Sequence, residues 1–237
     1  MTSFRKSDVL VVVGYGLVLC VVMLLAGFVP SPGASPQAPV VVAGFLQLAA
    51  LAVLIPFWVV GVSGKDRFRA LTELLSKMAQ PLLVGLIAAV GCSRILRGID
   101  IVDILLVQAV VTSFAVGAAG CASLVLTVVR KRSASQLLSS LILLGLLSAP
   151  LWANTFIRRV GPEHRTLVIS SVSYSSGMVV TAYAAGVDFY RGPRMYVWSV
   201  VGDYGFKAPR TWVACALYLG VGALLIGLCW PLRPRLN

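Results

Sequence analysis

Three features of the sequence predict an all-α fold, a polytopic helical bundle in a membrane: long uncharged apolar runs, little charge overall, and basic residues at the ends of the runs. Val9 to Val29 carries no charged side chain, and Pro30 to Gly64, Ile104 to Val129, Ser133 to Ile157 and Thr211 to Leu232 carry none either. Roughly 20 apolar residues cross a ~30 Å hydrocarbon core, because each helical residue rises about 1.5 Å. Hydrophobic residues make up 59% of the 237-residue chain and charged residues 12%, with mean hydropathy +0.93. A soluble domain would not leave so little polar surface.

The elements follow in order. A first span covers about 8–29 and ends at the Pro-rich loop 30–39. Arg5 and Lys6 precede it, but the apolar run is longer than a signal-peptide core. A second span, about 40–62, contains Pro56, which neighbouring helices can accommodate. Residues 64–80 turn polar, with Phe68, Leu71, Leu74, Leu75 and Met78 at helical spacing. This predicts an amphipathic helix lying along the cytoplasmic interface. A short third span, about 81–96, turns through Arg97 to Asp100 into a fourth at 101–129. The basic run Arg130-Lys131-Arg132 closes the fourth, and a fifth covers about 135–157.

The stretch 166–187 is uncharged but holds Ser170, Ser171, Ser173, Ser175 and Ser176, so it reads as a seventh span or as a re-entrant helix within an outer loop, 158–210. A last span covers about 211–231. With six spans and a cytoplasmic N-terminus, 11 of the 20 Lys and Arg lie inside; with seven, 13 do. The charge rule leans to seven and the serine content to six. The chain reads as one transmembrane domain, 1–237.

The net charge of +12 is explained by cations flanking spans and meeting anionic headgroups. No aromatic-interleaved basic module accompanies it, so no nucleic-acid partner is expected. Cys20, Cys92, Cys121, Cys215 and Cys229 sit in apolar segments without CxxC spacing. They behave as small apolar residues and indicate neither a disulfide framework nor a metal site. Gly61-Val-Ser-Gly-Lys65 glances toward a phosphate loop, but Val59 and Asp66 occupy the positions of its first Gly and its Ser/Thr. His164 is the only histidine, a surface loop residue by this reading. No catalytic constellation is evident, and no enzyme activity or bound cofactor is expected.

Charges near apolar segments are costlier and more informative. Arg94 and Arg97 end the third span, and Asp100 and Asp103 begin the fourth. They read as a hairpin clamp, or, with Gln108 deeper in the span, as the lining of a polar path. Tyr183, Tyr190, Tyr196, Trp198, Tyr204 and Trp212 read as an interfacial aromatic belt, or as groups contacting an amphipathic substrate.

The stretch Leu96-Arg-Gly-Ile-Asp-Ile-Val-Asp103, followed by the small-residue run Ala115 to Ser123 and by Arg130-Lys-Arg-Ser-Ala-Ser-Gln136, resembles the fourth-span region of ABC-2-type transporter permeases. Arg69-Ala-Leu-Thr-Glu-Leu-Leu-Ser-Lys-Met-Ala-Gln-Pro81 is similar to the family's cytoplasmic segment before the third span. Ser148-Ala-Pro150 and the Ser-rich 170–187 look like its outer region with re-entrant helices. The resemblance covers about 40–231, with a shorter loop between spans two and three than the family carries. It implies a permease subunit of a bacterial inner-membrane exporter, paired as a homo- or heterodimer and surrounded by membrane lipid. A separate ABC ATPase subunit would hold the ATP, and 64–80 would be the coupling segment, with Arg67, Arg69, Glu73 and Lys77 as coupling candidates by position. A non-transporting membrane scaffold is the alternative, and a lipid-modifying enzyme fits least.

Overall fold

In hydrocarbon a backbone must satisfy its own hydrogen bonds, so apolar runs of this length become helices. The computed structural model describes residues 6–28, 36–62, 67–96, 99–190 and 208–229, and every regular element among them is helical. In chain order these are α1 (Lys6–Phe28), α2 (Ala38–Gly61), α3 (Arg67–Ile95), α4 (Ile101–Val129), α5 (Arg132–Leu147), α6 (Ala149–Arg159), α7 (Pro162–Ser175), α8 (Gly177–Ala184) and α9 (Thr211–Cys229). Four of them, α2, α3, α4 and α9, are long and apolar enough to cross a membrane. The number reaches six if the bent pairs α5–α6 and α7–α8 each count as one span. This is an integral-membrane type of helical architecture.

α2 and α4 form the centre. They run parallel, since the space beside Gly44 is filled by Val107 and Gln47 bonds to Gln108. α1 runs parallel to α3, with Gly16 against Val84 and Cys20 near Cys92. On the other side α9 runs parallel to α4, with Gly117 against Tyr218 and Gly120 against Gly222. The last pair meets backbone to backbone, a close approach that only small residues permit.

Two expectations are corrected. Residues 64–80 and 81–96 are not a separate interfacial helix followed by a short span; α3 is one 29-residue helix that passes through Pro81. The reason is a continuous face: Ala70, Leu74, Met78, Pro81, Gly85, Ala88 and Cys92 are all buried, in phase, along its length. Phe68 and Leu75, taken as part of the apolar stripe, are exposed. The fifth span also breaks, at Ser148, where α6 leaves α5 at 65°. Pro150 lies in the first turn of α6 and has no N–H to offer the carbonyl of Leu146. Two side chains cover neighbouring carbonyls at this end of α5, Trp152 Nε1 donating to Gly145 O at 3.0 Å and Ser176 Oγ to Leu147 O at 2.8 Å.

The Ser-rich stretch is two helices meeting at Ser176 with an 82° bend. Three of its hydroxyls are accommodated by their own helix: Ser171 donates to Leu167 O, Ser173 to Ile169 O and Ser175 to Val172 O. α7 lies across the end of α5 and the start of α9, where the Tyr174 hydroxyl accepts from the Arg210 amide at 3.1 Å and Tyr218 Oη donates to Tyr174 O at 2.8 Å. The bend lies at the level of Leu48, and from it α8 runs back toward the start of α2. Gly177 packs on Leu48 and Leu147 and Thr181 on Gly44, so α8 runs antiparallel to α2.

Candidate functional site: a buried polar node

Buried polar side chains from three helices, α2, α4 and α8, lie close together in the interior. Gln47 on α2 and Gln108 on α4 are buried among apolar side chains. Gln108 Nε2 donates to Gln47 Oε1 at 3.0 Å, and the remaining amide atoms, Gln47 Nε2 and Gln108 Oε1, have no protein partner. Gln47 lies nine residues into α2 and Gln108 seven into α4, about 14 and 10 Å from the helix starts.

Gly85 of α3 creates the space for this pair. A Cβ there would overlap Gln47 Nε2, so the amide occupies the volume that a side chain on α3 would take. Thr181 of α8 reaches the same region from the other side, against Gly44 and next to Val107, and its buried hydroxyl also lacks a partner. The site therefore presents a donor, an acceptor and a hydroxyl with unused capacity inside an apolar bundle. Each unmet buried group costs about 1–3 kcal/mol, so the arrangement favours a polar occupant.

The sequence-derived candidates lie elsewhere, with one exception. Gln108 is at the node. Asp100 caps α4, accepting from the Val102 amide at 3.0 Å, and Asp103 in the first turn hydrogen-bonds with Gln37 at the start of α2. The two carboxylates thus tie down helix N-termini, where negative charge is favoured. Arg94 is exposed in the last turn of α3, and Arg97 is outside the described residues.

Glu73 and Lys77 form an ion pair at 3.0 Å on the first half of α3, Arg69 is exposed near them, and the Arg67 side chain is outside the described residues. Of the aromatic group, Tyr183 Oη donates to Asp188 at 2.8 Å and Trp212 is exposed. Tyr190 is buried against Ser173 at 3.0 Å; burial pushes its phenol up to about 12, with the Ser173 hydrogen bond pulling the other way. Tyr196, Trp198 and Tyr204 are outside the described residues.

Gln47 was not singled out in the sequence, although it is the only strongly polar side chain of an otherwise apolar span, a usable signal. The five cysteines are free thiols, and no cluster of metal-ligating side chains occurs among the described residues. No family model, curated protein or solved structure matches this chain.

Proposed function

We propose that this chain is the membrane-spanning permease subunit of an ABC-type transporter, an exporter, driven by a separate ATPase subunit and completed by a second permease subunit. In this reading α1–α5 and α9 span a bacterial inner membrane with the N-terminus in the cytoplasm. α6 lies along the outer interface and α7–α8 is re-entrant. The observation that carries it is the break at Ser176. A helix interrupted inside a bundle, beside a buried polar pair with unused hydrogen-bonding capacity, is how transport proteins bring polar groups to a substrate path. Arg67, Arg69, Glu73 and Lys77 then belong to the end of α3 that would meet the ATPase.

The test is to purify the full chain from its native membrane in mild detergent and identify its companions by mass spectrometry. A stoichiometric ATPase with an intact phosphate-binding loop supports the permease. In that complex Glu73→Lys is expected to leave assembly intact and to remove the permease's control of the hydrolysis rate; wild-type control by the assembled variant would refute the coupling role.

A second reading, a non-transporting membrane scaffold, is favoured by one observation. Only five residues, 62–66, separate α2 from α3, too few for a separate helix between them to receive force. Absence of an ATPase from preparations that retain other known complexes would select it.

A further inference from the structure

A cleft of about 620 Å³ opens on the side of the bundle away from α1 and α3. Its back wall is α4, at Phe114, Gly117, Ala118 and Cys121; its sides are α5 and α9; α7 crosses its end at Ser171, Tyr174 and Ser175. The three small residues make the back wall a shallow channel. Leu146 and Val221 form an exposed rim, so the cleft is open sideways.

The hydroxyls of Ser171 and Ser175 are turned onto carbonyls of α7 itself, and that of Tyr174 faces the Arg210 amide. The walls therefore call for an apolar occupant. Below the cleft the same strip of α4 continues as exposed Leu124 and Val128, flanked on α5 by exposed Leu138 and Ile142. It ends at the α4–α5 turn, where Arg130 and Lys131 are exposed. α7 closes one end of this groove and cationic side chains stand at the open end.

We propose that this groove is a binding site for one anionic phospholipid, its phosphate at Arg130 and Lys131 and one acyl chain seated between α4, α5 and α9 up to α7. Charge at one end and hydrocarbon along the rest match the two halves of such a lipid. A zwitterionic lipid matches only the second. Arg130 has a fixed place at the mouth: it is the C-cap of α4, in the left-handed region at φ 57°. The site does not depend on the permease reading, since a scaffold with this fold would carry it equally.

The experiment is native mass spectrometry of the full detergent-purified chain, titrated separately with phosphatidylglycerol and phosphatidylcholine. One phosphatidylglycerol is expected to bind per chain in preference to phosphatidylcholine. Neutralising both cations, Arg130→Gln with Lys131→Gln, should weaken it on the order of thirtyfold, a factor of several for each cation near a headgroup.

Leu146→Trp and, independently, Val221→Trp place a ring in the cleft from exposed rim positions and should lower retention of phosphatidylglycerol at least tenfold with an unchanged melting temperature. Equal binding of the two lipids by the wild type would refute the anionic site. Undiminished lipid on folded tryptophan variants would refute the cleft. A protein dimer that those variants disrupt would instead assign the groove to a second copy of the chain and overturn the proposal.

Discussion

Gly222→Ala should separate α9 from α4. A Cβ at Gly222 would lie 2.5 Å from Val116 O, 2.6 Å from Val116 C and 2.7 Å from Gly117 N, where ordinary contact begins near 3.4 Å. All three atoms are backbone, so no side-chain rotation relieves the overlap. The helices must part by close to an ångström, and a gap of 0.5–1 Å already forfeits a quarter to a half of each contact's attraction. Overpacking of this kind costs about 1–3 kcal/mol. Alanine returns up to about 1 kcal/mol of helix propensity, which would mask part of the loss. Gly220→Ala corrects for that, because nothing lies within 4 Å of a Cβ at Gly220 on the same helix. The thermal midpoint of the detergent-solubilised chain, followed by thiol-reactive fluorescence at its cysteines, should therefore fall several degrees lower for Gly222→Ala than for Gly220→Ala, at about 2–4 °C per kcal/mol. A Gly222→Ala midpoint equal to or above that of Gly220→Ala would show that the two helices do not meet at this crossing.

Two further outcomes concern the polar elements. Gln108→Leu and Gln47→Leu should each destabilise by about 1–3 kcal/mol, because each leaves its partner's amide buried without its bond, while the double variant should recover part of that loss; a double-mutant cycle on thermal midpoints measures this, and strictly additive losses would refute the pairing. Ser176→Ala removes the bond to Leu147 O at the α7–α8 bend and should cost about 0.5–1.5 kcal/mol, seen as faster amide exchange in α8 with exchange in α2 unchanged.

The spans were legible because hydrocarbon imposes a single requirement, apolar length, which composition displays directly. The extents of α1, α2, α4 and α9 agree with the apolar runs within a few residues for that reason. Breaks were harder to read because they depend on what caps the broken ends. Nothing local to Ser148 announces that Trp152 and Ser176 will take carbonyls of α5, one of them from a residue 29 positions away. The Ser-rich stretch could be narrowed to a span or a re-entrant element, but Ser171, Ser173 and Ser175 bond within α7 while Ser176, at the bend, bonds to a carbonyl of α5, and nothing local to the stretch distinguishes them. The polar node was half legible: Gln108 stood out beside Asp103 in α4, whereas Gln47 acquires meaning only once Gly85 is seen to make room for it.

The phase of α3 was available in the sequence and decides more than a boundary. Charged residues drew attention to 64–80 as a separate helix, yet Ala70, Leu74 and Met78 are in register with Gly85, Ala88 and Cys92 across Pro81. A helix of 29 residues is about 44 Å long, longer than the hydrocarbon core, so the half that carries Arg69, Glu73 and Lys77 and the half that carries Gly85 belong to one continuous helix, joined through Pro81. An in-plane helix would have to pass a push through a hinge before it reached the bundle. α3 stays helical through Pro81, which removes one backbone hydrogen bond there without breaking the helix, so a displacement at Glu73 passes along one helix to Gly85, against the Gln47 amide. If the chain works with an ATPase, the coupling route is therefore axial or tilting motion of α3 onto the Gln47–Gln108 pair. Gly85→Ala, which forces that amide aside without touching the N-terminal half of α3, should then alter control of hydrolysis as Glu73→Lys does. Normal control in Gly85→Ala alongside lost control in Glu73→Lys would place the route elsewhere, through α2 or the α4–α5 turn.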